Sequence, residues 1–414
     1  EAPSGSPMSE SLAQSVLQQV QVIAGETDFG FNANDRVVTV TVTDTSGATS
    51  APVEVTFDAV ANVTDGDGAG SFTGGNLDDT ISGAGGDDTV TGGGGDDSID
   101  GGDGVDTAAY SDLRANYTVT TSADASGFVT SFASVEDTDG AAGSPADEGT
   151  DTLASVEVLD FADAELRLDS AVQLFSGTPG ATTLAGTFAT IQAAIDAAAE
   201  GDTILVNGAG GPGETAYSGS ETLLLDKGVT LRGLGDVSVA GIDVTGGGAG
   251  QSVEIDNVDV AATGGAGVSI DEGADYDSVA FRNGDVTGGA SHGLLVGSGA
   301  NPVEAANTAA DVDAIVIENA AFSGNGSSGS NGSGALTFFG YTGDVTLTDV
   351  AVTGGAGADN GIQLRGLDAP GPAGTITFSG VTVGGAFTKT GVAIYNFTDL
   401  SGLTFAGADP AGSL

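Results

Sequence analysis

Apolar residues follow three rhythms along this chain. Arg36-Val-Val-Thr-Val-Thr-Val-Thr alternates strictly, DTSGATS supplies a turn, and APVEVTF alternates again. Alternation around a turn predicts a hairpin with one buried face. Just upstream, SLAQSVLQQVQVIAG (11–25) places apolar residues near helical spacing. From 74 to 109 the rhythm slows to one large apolar position in nine. Beyond 250 it changes again. Five segments, VEIDNVDV (253–260), VAFRNGDV (279–286), IVIENAAF (315–322), VTLTDVAV (345–352) and ITFSGVTV (376–383), carry apolar residues at their first, third and eighth positions. After each comes a Gly-rich bend and a further short strand, beginning GVSI, GLLV, LTF, GIQL and GVAI.

The slow rhythm belongs to four nonapeptides laid end to end, GGNLDDTIS, GAGGDDTVT, GGGGDDSID and GGDGVDTAA. Their sixth positions are Asp79, Asp88, Asp97 and Asp106, and their eighth are Ile81, Val90, Ile99 and Ala108. A degenerate copy at 65–73 keeps the phase, with Phe72 at the eighth position and Gly70 in place of the Asp. Glycine lets the backbone turn through positive φ and brings carbonyl oxygens together. An Asp after each turn adds a carboxylate to them. Such hard oxygen donors suit Ca²⁺, which takes about 6–8. The candidate ligands are the carboxylates of Asp79, Asp88, Asp97 and Asp106, with backbone oxygens around Gly74, Gly83, Gly85, Gly92, Gly94 and Gly101.

This stretch resembles the RTX (repeats-in-toxin) nonapeptide repeat, which forms a Ca²⁺-loaded parallel β-roll. The resemblance implies two nonapeptides per turn, so that Asp79 pairs with Asp97 and Asp88 with Asp106 across successive turns. With Gly70 unable to supply a carboxylate, two or three well-formed sites are expected. It also implies type I secretion, with the signal for it outside this sequence.

Composition narrows the partners. Of 414 residues 71 are Gly, and the net charge is −50 with only 8 Lys and Arg. Nucleic acid and anionic membrane surfaces need a basic patch and are excluded as partners. Divalent cations are the natural counterions, and without them the acidic repeats repel one another. There is no Cys, and no apolar run approaches the roughly 18 residues of a membrane span. The chain begins with Glu and its first module reads as incomplete, so a piece of a longer chain is expected.

After the repeats, GTDTLASVEVLDFADAEL resembles the segment that often follows RTX repeats. Leu153, Val156, Val158, Leu159 and Phe161 are expected to cap the roll, since open strand edges are adhesive. The loop DTDGAAGSPADEG (137–149) interrupts this region. TFATIQAAIDAAAEGDTILV then reads as an N-cap at Thr187, a helix with Ile191, Ala194, Ile195 and Ala198 on one face, a stop at Gly201 and a buried strand over 204–206. It resembles the entry cap of a right-handed parallel β-helix of the pectin-lyase-like superfamily. The five aligned segments would then stack at about 4.8 Å. Their fifth positions, Asn257, Asn283, Asn319, Asp349 and Gly380, form a column at a bend, where Asn tolerates the left-handed conformation. Two strands per coil are expected, with 297–313 as a loop insertion.

β-Helices of that superfamily often cleave or epimerise acidic polysaccharides, so catalysis is worth weighing. His292, the only His, sits at a bend and reads as a surface residue. Asp256, Arg282 and Glu318 share one position in successive coils, and read as an ion-pair ladder on the surface or, alternatively, as a lyase-like base beside a calcium-binding carboxylate.

The fold class expected is all-β: a partial Ig- or cadherin-like module (1–62), an RTX β-roll (63–109), a β-rich cap (110–175) and a right-handed parallel β-helix (186–414). The function expected is a secreted or bacterial cell-surface calcium-binding protein, structural or adhesive, folding on Ca²⁺ after export. The alternatives are a uronan lyase or C5-epimerase and a carbohydrate-binding adhesin, with extracellular polysaccharide as partner.

Overall fold

The structure, a computed structural model, describes residues 68–138, 148–177, 183–213, 215–297, 311–326, 334–341, 343–354, 358–365 and 374–395, with the backbone of Arg36–Val40, Val53–Phe57, Asn62–Thr64 and Leu403–Ala406. The expected helix at 11–25 and the greater part of the loops at 137–149 and 297–313 lie outside these residues. The fold is all-β, with one α-helix among the described residues. It divides into two compact units, Glu1–Ala123 with Thr130–Arg167, and Asp124–Val129 with Leu168–Leu414.

In the first unit, Arg36–Val40 and Val53–Phe57 pair antiparallel, Arg36 opposite Phe57 and Val40 opposite Val53. The nonapeptides give three-residue strands with only the middle side chain buried. With three residues, one side chain per strand is all that can face inward. Phe72, Ile81, Val90, Ile99 and Ala108 are each at most 2% exposed. Alternate repeats enter opposite sheets. Ile81 lies beside Ile99 in one and Phe72 beside Val90 in the other, so one layer is 18 residues long. Asn62–Thr64 joins the first sheet, parallel to Thr80–Ser82.

The layers do not stop at residue 109. Thr150–Ala154 pairs parallel with Ser98–Asp100, and Val158–Asp160 pairs parallel with Thr107–Ala109. Only then do the sheets turn antiparallel, through Val129–Asp137 and Glu165–Arg167. Leu153, Val156, Val158, Leu159 and Phe161 are buried; Leu153, Val158 and Leu159 lie on in-register strands of the same winding, Val156 in the bend between them and Phe161 just after the second. The rings of Tyr110, Tyr117 and Phe161 close this end, with centroids 5.1–5.5 Å apart.

The second unit is a parallel solenoid. One sheet stacks seven strands in chain order, from Thr222–Leu225 to Thr390–Tyr395. Another carries Thr203–Asn207, Thr230–Leu234, Ser252–Asp256, Asp275–Arg282 and their successors, all parallel. The coils at 252–270 and 275–296 have three strands rather than the two expected, whereas Asp311–Ser323 and Asp344–Gly354 run on as single strands and leave two per coil. In the three-stranded coils the eight-residue segment is split by its fifth residue, as Ser252–Asp256 and Asp259–Ala261 show. Asn257, Asn283, Asn319 and Asp349 there have φ of 55°, 54°, 50° and 52°. This is the left-handed region that Asn and Asp enter more readily than other side-chain-bearing residues. Their side chains link the coils: Asn319 Nδ2 donates to Asn283 Oδ1 (2.8 Å), Asn283 Nδ2 to Asp256 Oδ1 (2.6 Å), and Asn257 Nδ2 to the Gly233 and Gly235 carbonyls (3.0 Å each). Inside, Ile255, Phe281, Ile317, Leu347 and Phe378 form one apolar column in continuous register.

The helix Ile191–Ala197 covers this core with Ile191, Ala194 and Ile195. Its N-cap is Thr190, whose Oγ1 accepts from the Ala193 N–H at 3.1 Å. Thr187, the expected cap, belongs to the strand Thr183–Phe188. Val172–Ser176, placed by its sequence in the segment 110–175, instead pairs antiparallel with Thr203–Asn207 and belongs to the solenoid.

Candidate metal centre

The 18-residue layer aligns the four aspartates in two columns. The Asp79 N–H donates to Asp97 Oδ1 at 2.7 Å, and the Asp88 N–H to Asp106 Oδ1 at 2.8 Å. On the degenerate side, the Gly70 N–H donates to Asp88 Oδ1 at 2.6 Å. Each of these carboxylates therefore spends one oxygen on the backbone of the preceding layer. The other oxygens of Asp88, Asp97 and Asp106 have no hydrogen-bond partner, although the three residues are at most 2% exposed. Buried polar groups are nearly always satisfied, and an unpartnered charge in such a place is far more costly than a neutral group. Three such oxygens recur with the winding, at places where a cation would serve as the missing partner.

The glycines show where that partner fits. A β-carbon on Gly83 would lie 2.2 Å from Asp88 Oδ2 and 2.4 Å from the Gly101 carbonyl oxygen. On Gly74 it would lie 1.9 Å from the Gly92 oxygen and 2.4 Å from Asp79 Oδ2, and on Gly92 it would lie 2.1 Å from Asp97 Oδ2. Carboxylate and carbonyl oxygens thus converge beside glycines that leave the space clear. Gly94 joins turn to turn, its N–H donating to the Gly75 carbonyl at 2.8 Å, and Gly85 bridges to Asp103. Among the described residues no three acidic or histidine side chains converge. What the turns bring together is one or two carboxylates with backbone oxygens, a donor set that would suit a hard cation such as Ca²⁺.

The electrostatics agree. Burial, with Asp79, Asp78 and Asp96 nearby, pushes the Asp97 carboxyl up to about 7 against the lowering effect of the Asp79 N–H bond. Burial likewise raises Asp106. Like charges held close with no cation favour protonation. A bound divalent ion reverses that preference.

Sequence reading missed part of this centre. Asp78, Asp87 and Asp96, at the fifth positions, form a second, exposed ladder through Asp78 Oδ1 to the Asp96 N–H (2.9 Å), Asp87 Oδ1 to the Val105 N–H (3.0 Å) and Asp96 Oδ1 to the Thr150 N–H (2.8 Å). The doubled Asp in GGNLDD, GAGGDD and GGGGDD was the available signal.

The other candidates fall elsewhere. Asp256, Arg282 and Glu318 do stack in successive coils. Arg282, however, pairs with Glu254 (3.3 Å) and Glu318, while Asp256 turns to Arg232 (3.4 Å) and Asn283. His292 is not at the surface: it opens the strand His292–Val296, is 9% exposed and meets Phe339 edge-on at 6.3 Å. It reads as a bend residue only if the strand is begun too late, at GLLV.

Residues 73–108 match the family model of the RTX calcium-binding nonapeptide repeat in four copies. No curated protein matches the chain. The chain thus carries an RTX-type calcium-binding segment within an all-β fold of parallel strands. No described helix is long and apolar enough to cross a membrane.

Proposed function

We propose that this chain is a secreted, calcium-dependent structural or adhesive module, whose roll winds when it meets Ca²⁺ outside the cell. Asp79, Asp88, Asp97 and Asp106 hold the ions, with backbone oxygens beside Gly74, Gly83, Gly92 and Gly101. The observation that carries this reading is the buried, unpartnered oxygen on Asp88, Asp97 and Asp106. Calcium supplies charge neutralisation. The chain supplies spacing, since the 18-residue layer brings carboxylates of separate repeats together only when wound. In a cell interior poor in free calcium the segment stays open, which suits export before folding.

The solenoid serves as a rigid support held by its own apolar core, and its flank is where an extracellular polysaccharide would bind. Its Asp256, Arg282 and Glu318 stack as inter-coil ion pairs, which favours support over catalysis. The test is a calcium titration of the full chain, followed by calorimetry and circular dichroism. Saturable uptake with a gain in strand signal is expected, and no uptake at millimolar calcium overturns the reading.

A further inference from the structure

The winding continues past the recognised repeats, and so does its oxygen chemistry. Asp151 and Glu157 lie 54 and 51 residues beyond the last nonapeptide aspartates in their columns, Asp97 and Asp106, yet they take the next positions in the two ladders. The Asp97 N–H donates to Asp151 Oδ1 at 3.0 Å, as the Asp79 N–H does to Asp97. The Asp106 N–H donates to Glu157 Oε2 at 2.9 Å, as the Asp88 N–H does to Asp106. The flanking strands agree in register, Leu153 beside Ile99 and Leu159 beside Ala108. Gly149, with φ of 70°, stands over Gly95, whose φ is 109°.

The space beside Gly101 repeats the space beside Gly83. At Gly83 a β-carbon would meet Asp88 Oδ2 at 2.2 Å and the Gly101 oxygen at 2.4 Å; at Gly101 it would meet Asp106 Oδ2 at 2.5 Å and the Ser155 oxygen at 2.1 Å. Ser155 thus stands where a repeat glycine would. It is held at φ 49°, a conformation that is strained for serine. Asp106 Oδ2 and Asp97 Oδ2, the oxygens left over in these last layers, are buried and unpartnered. Asp151 itself is 1% exposed.

We propose that residues 149–157 form a last, shortened turn of the roll, in which Asp151 and Glu157 are calcium ligands. Glu157 acts with Asp106 and the Ser155 carbonyl, and Asp151 acts with Asp97. The longer side chain of glutamate suits the shortened turn, which has only six residues from Asp151 to Glu157 where the repeats have nine. The calcium array therefore ends outside the nonapeptides, and its last ions pin the post-repeat segment to the roll. This inference rests on the calcium reading of the repeats.

Native mass spectrometry of the full chain in calcium counts the ions directly. D151N and E157Q are each expected to hold one ion fewer than the parent, while D259N, at an exposed position of the solenoid, holds the parent number. Parent counts in both D151N and E157Q would overturn the proposal, leaving Asp151 and Glu157 as hydrogen-bond acceptors alone. A variant that lost every ion would have unfolded. D151E and E157D then decide, because each keeps the charge and changes only reach. One ion binding at least tenfold more weakly is expected, and parent affinity for all ions overturns the proposal. A parent chain that binds no calcium would overturn the proposed function instead.

Discussion

The roll and the solenoid are both wound from short parallel strands, yet they are held by different forces. A roll strand buries one side chain, such as Ile81 or Val90, and its turns carry unpartnered carboxylate oxygens. A solenoid strand such as Ser252–Asp256 buries two, Val253 and Ile255, and the next strand, Asp259–Ala261, adds Val260. At about 25 cal/mol per Å² of apolar surface, one small side chain per nine residues does not offset the conformational entropy of about 1–2 kcal/mol per backbone residue. On the proposed reading the roll needs a ligand to stay wound, whereas the solenoid does not, so one architecture would yield a metal-conditional and an unconditional fold.

Truncating a solenoid column gives the largest expected effect. Leu347→Ala, in the fully buried column with Ile317 and Phe378, should cost about 2–5 kcal/mol. Denaturant melts would read this loss, with the calcium count unchanged. If calcium binding fell as well, the two regions would not be independent in the way their cores suggest.

The next effect is on the roll alone. Gly83→Ala puts a β-carbon where Asp88 Oδ2 and the Gly101 oxygen converge. It should weaken one calcium site at least tenfold by calorimetry and leave the solenoid transition unmoved.

pH offers a sharper contrast. Asp97 is raised to about 7 and Asp151 to about 8, both chiefly by burial. An unfolded Asp titrates near 4, at about 3.9. Because the wound state holds protons more tightly, their contribution to the calcium-free roll is complete below about pH 4 and is lost as pH rises through about 7 to 8. Circular dichroism in EDTA should show more strand at pH 5 than at pH 8, and calcium should remove the difference. An apo roll that gained structure as pH rose would contradict this assignment.

The smallest effect is in the surface ladder. Arg282→Ala breaks ion pairs to Glu254 and Glu318 on a partly exposed face and should cost about 0.2–1 kcal/mol, read by thermal melts.

Much of this contrast was legible in the residues. The Gly/Asp phase and the single apolar residue per nine specify a roll, because few other folds use so little core so regularly. The Asn column was legible because Asn recurs at one position where only a left-handed bend fits. Asp151 and Glu157 were hidden. The chain leaves the nine-residue phase after Asp106 and returns to the sheets out of step, so only strand register reveals their place. Thr190 and Thr187 are both good caps, and the choice between them depends on the strand Thr183–Phe188, which a local pattern does not show. His292 was misplaced because a polar residue beside glycines looks like a turn until its strand partners, Ala266 and Gly334, are known.

Amide hydrogen exchange of the full chain, with calcium and with EDTA, tests the central claim most directly. Calcium should protect the amides of Asp79, Asp88, Ser98 and Thr107, which bond across successive layers, and EDTA should abolish that protection. The amides of Ser252–Asp256 and Asp275–Arg282 should stay protected in both. Repeat amides equally slow in EDTA would show that the roll needs no metal and would contradict the account.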